Sequence, residues 1–341
     1  MSDNGTTNSS NGRFKPFDGV TAKIWAIAGG KGGTGKSVVT ANLGIALSSL
    51  GNKVVVIDGD LGGANLHTCL NIRHPQFNLN DFLTNEKTHL RDILLDTPAK
   101  SMKLICGGSE LVGIANLQHM KKQKLLRHIL QLPADYILVD LGAGTSYNTL
   151  DFFNLSREGI VVCNPEPNAK LDVYAFLKSA IYRKILSRFR KNSEEYFVIK
   201  KILIDDRNKA FQLQKLPEMI GDRYPEAARI IQSVLSSYRL KLIMNKVRKS
   251  SQISQGHQLV TLASEYLGID LNYLGYITRD DKVVDASERM MPFLLQHPRC
   301  KASQNLYQII KSLDAAGENG RFVKQFGQFK KEMKTQAKVW K

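Results

Sequence analysis

Seven short runs of almost uninterrupted apolar residues punctuate this chain: KIWAIAGG from Lys23, KVVVID at 53–58, MKLICGG at 102–108, DYILVD at 135–140, EGIVVCN at 158–164, LKLIMN at 240–245 and LNYLGYI at 271–277. A strand that is apolar on both faces must be covered on both, as in a parallel sheet held between two helical layers. Stretches with helical spacing separate the runs, so the pattern predicts an α/β fold: a doubly wound, mainly parallel sheet flanked by helices. A length of 341 residues allows one large domain with additions, or two domains.

The rhythm also sets boundaries. Residues 1–20 are rich in Ser, Thr, Asn and Gly and hold too little apolar surface to offset ordering entropy, so they are expected to be a disordered tail. A domain is expected over 21–315, interrupted at about 186–239 by a charged segment of mostly helical pattern, read as a helical insertion. Residues 316–341 form a separate basic segment. No apolar run approaches the ~20 residues of a membrane-spanning helix, and the first residues carry no secretory signal, so a cytoplasmic protein is expected. Cys69, Cys106, Cys163 and Cys300 stand far apart without a C-x-x-C pair, which argues against a zinc ribbon, a metal cluster or a disulfide framework.

Between the first strand and a helical stretch lies Gly30-Lys31-Gly32-Gly33-Thr34-Gly35-Lys36-Ser37, which fits G-x-x-x-x-G-K-[ST], the Walker A pattern. Backbone N–H groups in such a loop wrap phosphates, and the start of the following helix, here including Val38, favours negative charge. Lys36 is expected to reach the β- and γ-phosphates and the Ser37 hydroxyl to bind Mg²⁺. The implied cofactors are ATP and Mg²⁺. Asp58 and Asp140 close two of the apolar runs, at the strand ends where α/β sheets place their ligands, and are expected to reach the metal through its waters. Asp60 lies two residues beyond, in a loop that a γ-phosphate could order; an ordinary turn cap is its alternative reading.

Lys31 gives the loop two lysines, one more than phosphate binding needs. The stretch GGKGGTGKSVVTANLGIALSSLGNKVVVIDGDLGGANL resembles the deviant Walker A ATPases of the MinD, ParA and FlhG (FleN) type. The resemblance implies that Lys31 crosses a dimer interface to the partner's nucleotide, that Asp58–Asn65 is switch I with Asp60 orienting the attacking water, and that Asp140–Gly144 is switch II with the Gly144 amide near the γ-phosphate. Asn164-Pro165-Glu166-Pro167 is similar to the family's N-P-E segment, and Asn245 to its strand-end asparagine beside adenine. A carboxamide suits that edge because it both donates and accepts. The likeness runs over about 22–313. It implies an ATP-dependent homodimer with slow ATP hydrolysis that regulates the position or number of a cellular structure, flagella or the division site, with a regulatory protein as partner. The D-Q-A-x-x-L-R motif with which FlhG proteins usually begin has no counterpart in residues 1–20.

Forty-eight Lys+Arg against thirty-one Asp+Glu leave a net +17, which favours phosphate-rich or anionic-lipid surfaces. In 321–341, Phe322, Phe326, Phe329, Met333, Ala337 and Trp340 fall on one helical face and lysines fill much of the rest, a pattern suited to an anionic membrane surface, to the protein's own core or to a partner. Arg183, Lys184, Arg188, Arg190 and Lys191 form a second basic cluster, readable as a nucleic-acid contact or as a solvated helix face. The alternative function is accordingly a ParA-like partition ATPase that binds DNA non-specifically.

Overall fold

The computed structural model describes residues 22–60, 62–84, 86–108, 119–156, 158–205 and 211–315. The seven apolar runs all become strands: β1 (Lys23–Ala28), β2 (Val54–Asp58), β4 (Met102–Ile105), β5 (Tyr136–Asp140), β6 (Ile160–Cys163), β7 (Arg239–Val247) and β8 (Asp270–Thr278). An eighth, β3 (Leu95–Asp96), pairs antiparallel with β4 at the sheet edge, while every other pairing is parallel. The order β3-β4-β2-β5-β1-β6-β7-β8 puts β1 in the middle. From β1 the chain first builds one half of the sheet and then crosses to β6 to build the other. A crevice therefore opens beyond the carboxyl end of β1, where such sheets bind ligands.

Strand periodicity distributes β1 and β2 between two cores. Trp25, Ile27, Val54 and Val56 face one layer, and Ala26, Ala28, Val55 and Ile57 the other. The first layer is covered by α1 (Lys36–Ser49), α11 (Phe293–Gln296) and α12 (Lys301–Ala315), whose Leu43, Leu47, Phe293 and Leu306 are fully or almost fully buried. The second layer holds α3 (His119–Ile129), α4 (Tyr147–Phe153), α5 (Pro167–Leu186) and α9 (Ser254–Leu262).

The 186–239 segment is helical, with α6 (Glu194–Ile204), α7 (Leu216–Gly221) and α8 (Pro225–Ser236). Ile199, Leu216 and Ile231 are wholly buried in the same apolar layer as Phe176 of α5 and Ile137 of β5. These helices are continuous with the main core rather than a body apart. Residues 1–20 and 316–341, with the expectations attached to them, lie outside the described residues. Among the described residues no helix is long and apolar enough to cross a membrane.

Candidate functional site

β1 delivers the chain into the crevice at Ala28, and α1 leaves it at Lys36. The turn between them uses left-handed backbone at Gly33 (φ 75°) and Gly35 (φ 90°), conformations in which a side chain would be strained. Gly30 has a different reason. A Cβ there would meet the backbone of Asp172 and Val173 in α5 at 2.3–2.4 Å, so this glycine lets the loop lie against a helix. Gly32 and Gly33 face open space. Val38, at the start of α1, packs on the core beneath the loop.

Lys36 is buried, and among the described residues its Nζ has one hydrogen-bond partner, the Lys31 carbonyl at the long distance of 3.5 Å. Burial pushes its pKa down, opposed by the negative charges of Asp140 and Asp60. A buried ammonium with so little direct compensation is chemically suited to an anion. Thr34 Oγ1, buried in the same loop, has no hydrogen-bond partner among the described residues.

Parallel pairing of β2 with β5 sets Asp58 directly opposite Asp140. Burial, and then the neighbouring Asp140, push Asp58 up to about 7, against hydrogen bonds from the Leu66 and Asp60 amides. Asp140 is pushed up to about 6 by burial, against the Ser37 hydroxyl, Lys36 and the Thr40 hydroxyl. Two buried carboxylates side by side suit a cation. Ser37, whose hydroxyl favours the charged form of Asp140, completes the donor set expected for Mg²⁺. Among the described residues no three His, Cys, Asp or Glu side chains gather to hold a metal alone, so remaining ligands would come from phosphate oxygens and water.

Asp60 is half-buried. Its Oδ1 accepts from the Gly62 amide at 3.2 Å, while a Cβ on Gly142 would come 3.0 Å from its Cγ. It caps its own turn, as the plainer reading has it, and its carboxyl lies close against Gly142 in the loop that follows β5. Gly144 has φ 85° with open space beside it.

The other expected residues converge from β6 and β7. Glu166 occupies the position just before α5 without a side-chain capping bond, Pro167 opens the helix at its first position, and Glu166 Oε2 lies 3.1 Å from Lys31 Nζ. Within a single chain, then, the second lysine of the loop is paired with the N-P-E segment and half-exposed. Asn245 is buried. Its Nδ2 donates to the Thr34 carbonyl at 2.7 Å and its Oδ1 accepts from the Lys246 amide at 2.9 Å, so in this structure it holds the loop.

The pattern of the family described as CobQ/CobB/MinD/ParA nucleotide binding domain matches residues 25–293, from β1 to the start of α11. The chain belongs to this family. Among curated relatives, the antiactivator FleN of Pseudomonas aeruginosa is 31% identical over 170 residues, 49% of this chain and 60% of that protein. The flagellum site-determining protein YlxH of Helicobacter pylori is 33% identical over 193 residues, 52% of this chain and 57% of its own length. The matched regions thus span less than two thirds of these relatives. Among solved structures, the septum site-determining protein MinD of Pyrococcus horikoshii, complexed with Mg-ADP, superposes with a TM-score of 0.59 at 23% identity, covering 87% of this chain and 98% of that one. A ParA family ATPase from Chlorobium tepidum gives 0.57 at 17% identity, covering 85% and 98%. At these identities the likeness is one of fold.

Within the MinD/ParA fold the second basic cluster is partly consumed. Asp151 of α4 pairs with both Arg183 and Lys122, Arg183 also lies 4.4 Å from the Tyr147 ring, and Lys184 Nζ donates to the Asn154 carbonyl at 2.8 Å. Two of the five cations therefore knit helices together instead of standing free for phosphates. Three contacts escaped the sequence reading: Thr40 Oγ1 on Asp140 at 3.2 Å, the Leu66 amide on Asp58 at 2.9 Å, and Lys246 Nζ on the Gly33 carbonyl at 2.7 Å. Thr40 could have been found, since it stands one helical turn after Lys36 on the same face. The other two depend on tertiary structure.

Proposed function

We propose that this protein is an ATP-dependent dimerising switch with slow ATP hydrolysis, controlling the position or number of a cellular structure. The observation that carries the reading is the division of labour between two lysines of one loop: Lys36 is buried facing Asp140 and Asp60, and Lys31 is turned outward. The amides of 30–38 and Lys36 grip the phosphates. Ser37, Asp58 and Asp140 would hold the cation, the carboxylates through water. Mg²⁺ held there would supply positive charge against the phosphate oxygens. Asp60 orients the attacking water, and the Gly144 amide faces the terminal phosphate. Asn245 retains one Nδ2 hydrogen and one Oδ1 lone pair for the adenine edge. Lys31 leaves Glu166 and reaches the nucleotide of a second copy.

The cellular role is read from relatives named as an antiactivator, a flagellum site-determining protein and septum site-determining proteins. Segment 321–341 would hold the dimer at the inner face of an anionic membrane, two copies adding avidity, where a regulatory protein would be met. The test is light scattering with ATP and with ADP, on Asp60→Ala to preserve the triphosphate. A doubled mass with ATP alone, abolished by Lys31→Ala, is expected; equal masses with both nucleotides would refute the switch.

The net charge of +17, with Lys121 and Arg127 of α3 exposed, supports a second reading as a DNA-binding partition ATPase. Salt-sensitive co-sedimentation with DNA and none with anionic liposomes would favour it over the first.

A further inference from the structure

Strand β7 ends with an irregularity that reaches back to the phosphate loop. Its register with β8 slips between Met244 and Val247, leaving Asn245 and Lys246 out of the regular ladder. Bulges of this kind re-aim side chains beside sites. Lys246 takes left-handed backbone, φ 58°, unusual for a residue with a long side chain. Both re-aimed side chains then grip consecutive peptide groups more than two hundred residues away: Lys246 Nζ donates to the Gly33 carbonyl and Asn245 Nδ2 to the Thr34 carbonyl, each at 2.7 Å. They lie across the loop's last glycine, where a Cβ on Gly35 would come 2.4 Å from Asn245 Nδ2 and 4.0 Å from Lys246 Cε.

A trans peptide is planar, with its C=O and the following N–H pointing in opposite directions. Holding the Gly33 carbonyl therefore aims the Thr34 N–H the other way, and holding the Thr34 carbonyl does the same for the Gly35 N–H. Those are two of the amides that a phosphate-wrapping loop must present. We propose that Lys246 is a positioning residue of the nucleotide site, acting with Asn245 to orient the Thr34 and Gly35 amides toward the phosphates. The assignment rests on the nucleotide reading above and adds to it a residue that touches only the loop's outer side.

The experiment is calorimetric titration with Mg·ADP of the full chain as wild type, Lys246→Met, Lys246→Arg and Lys246→Gly, with thermal melting of each without nucleotide. Lys246→Met keeps the stem and loses the donor; an affinity loss of about tenfold is expected, with the melting temperature lowered by a few degrees at most because the lost bond is exposed. Lys246→Arg restores most of the affinity. Lys246→Gly relieves the left-handed backbone, so it melts no lower than wild type and still binds as weakly as Lys246→Met. Wild-type affinity in Lys246→Met, or a loss matched by a fall in melting temperature in both the Met and Gly variants, would overturn the assignment while leaving the nucleotide reading intact. No binding by wild type would overturn both.

Discussion

Gly30→Ala tests the packing of the phosphate loop directly. The new methyl would stand 2.3 Å from the Asp172 carbonyl carbon, 2.4 Å from its Cβ and 2.4 Å from the Val173 nitrogen. Ordinary carbon contacts are about 3.5–4.0 Å, so the overlap is about 1 Å against backbone, which cannot swing aside. α5 cannot easily retreat, because Val173, Phe176 and Leu177 are fully buried beneath it. The loop cannot easily retreat either, since Asn245 and Lys246 hold its far end. Overpacking of this kind costs about 1–3 kcal/mol, so the variant should melt several degrees lower. Displacing the loop amides should also weaken Mg·ADP binding by about tenfold or more, the value of one hydrogen bond to a charged group. The control is Gly32→Ala, whose Cβ meets nothing within 4 Å and whose backbone is not left-handed; its melting should stay within about 0.5 kcal/mol of wild type. Differential scanning calorimetry and titration of both variants check the pair. Wild-type melting and binding in Gly30→Ala would refute the claim that α5 and the loop press on one another at this point.

Asp60→Ala should retain nucleotide binding and lose phosphate release, measured by a coupled phosphate assay; rates equal to wild type would remove Asp60 from the chemistry. Asp58 and Asp140, at about 7 and about 6 against an ordinary value near 3.8, hold protons in the folded state that the unfolded chain has released. The nucleotide-free protein should therefore lose stability as pH rises from about 4 to about 7, and Asp140→Asn should flatten that decline in urea titrations across pH. Asp151→Ala strands Lys122, whose side chain is only 9% exposed, and should cost about 3 kcal/mol by chemical denaturation. A cost near zero would mean that Lys122 finds water instead.

The strands were legible because a parallel sheet covered on both faces leaves unbroken apolar runs, and each such run became a strand. β3 was not, being two residues long and held by the Lys103–Asp96 pair at the edge rather than by a pattern of its own. The glycine turn between β1 and α1 and the placing of Asp58 and Asp140 beside each other were legible through local spacing and strand ends. What each glycine does was not: Gly30 is small because of α5, a contact that no local pattern encodes. Lys246 reads in sequence as an ordinary solvated lysine after a strand, since its bulge and its reach to Gly33 exist only once β7 is placed beside β1's loop. Arg183 likewise reads as one of a basic run until Asp151 of another helix claims it.

The pairing of Lys31 with Glu166 sets how readily the proposed partnership can begin. Both side chains are substantially open to solvent, 39% and 63%, and such ion pairs hold with about 0–1 kcal/mol. Separation therefore demands little more than thermal agitation, on the nanosecond scale of exposed side-chain rotation. The carboxylate left behind is not stranded, because it is open to water and stands at the positive end of a twenty-residue helix. The tether keeps the lysine near the crevice without committing it, so in the proposed switch the threshold for pairing two molecules would lie in what the crevice holds and not in freeing the arm.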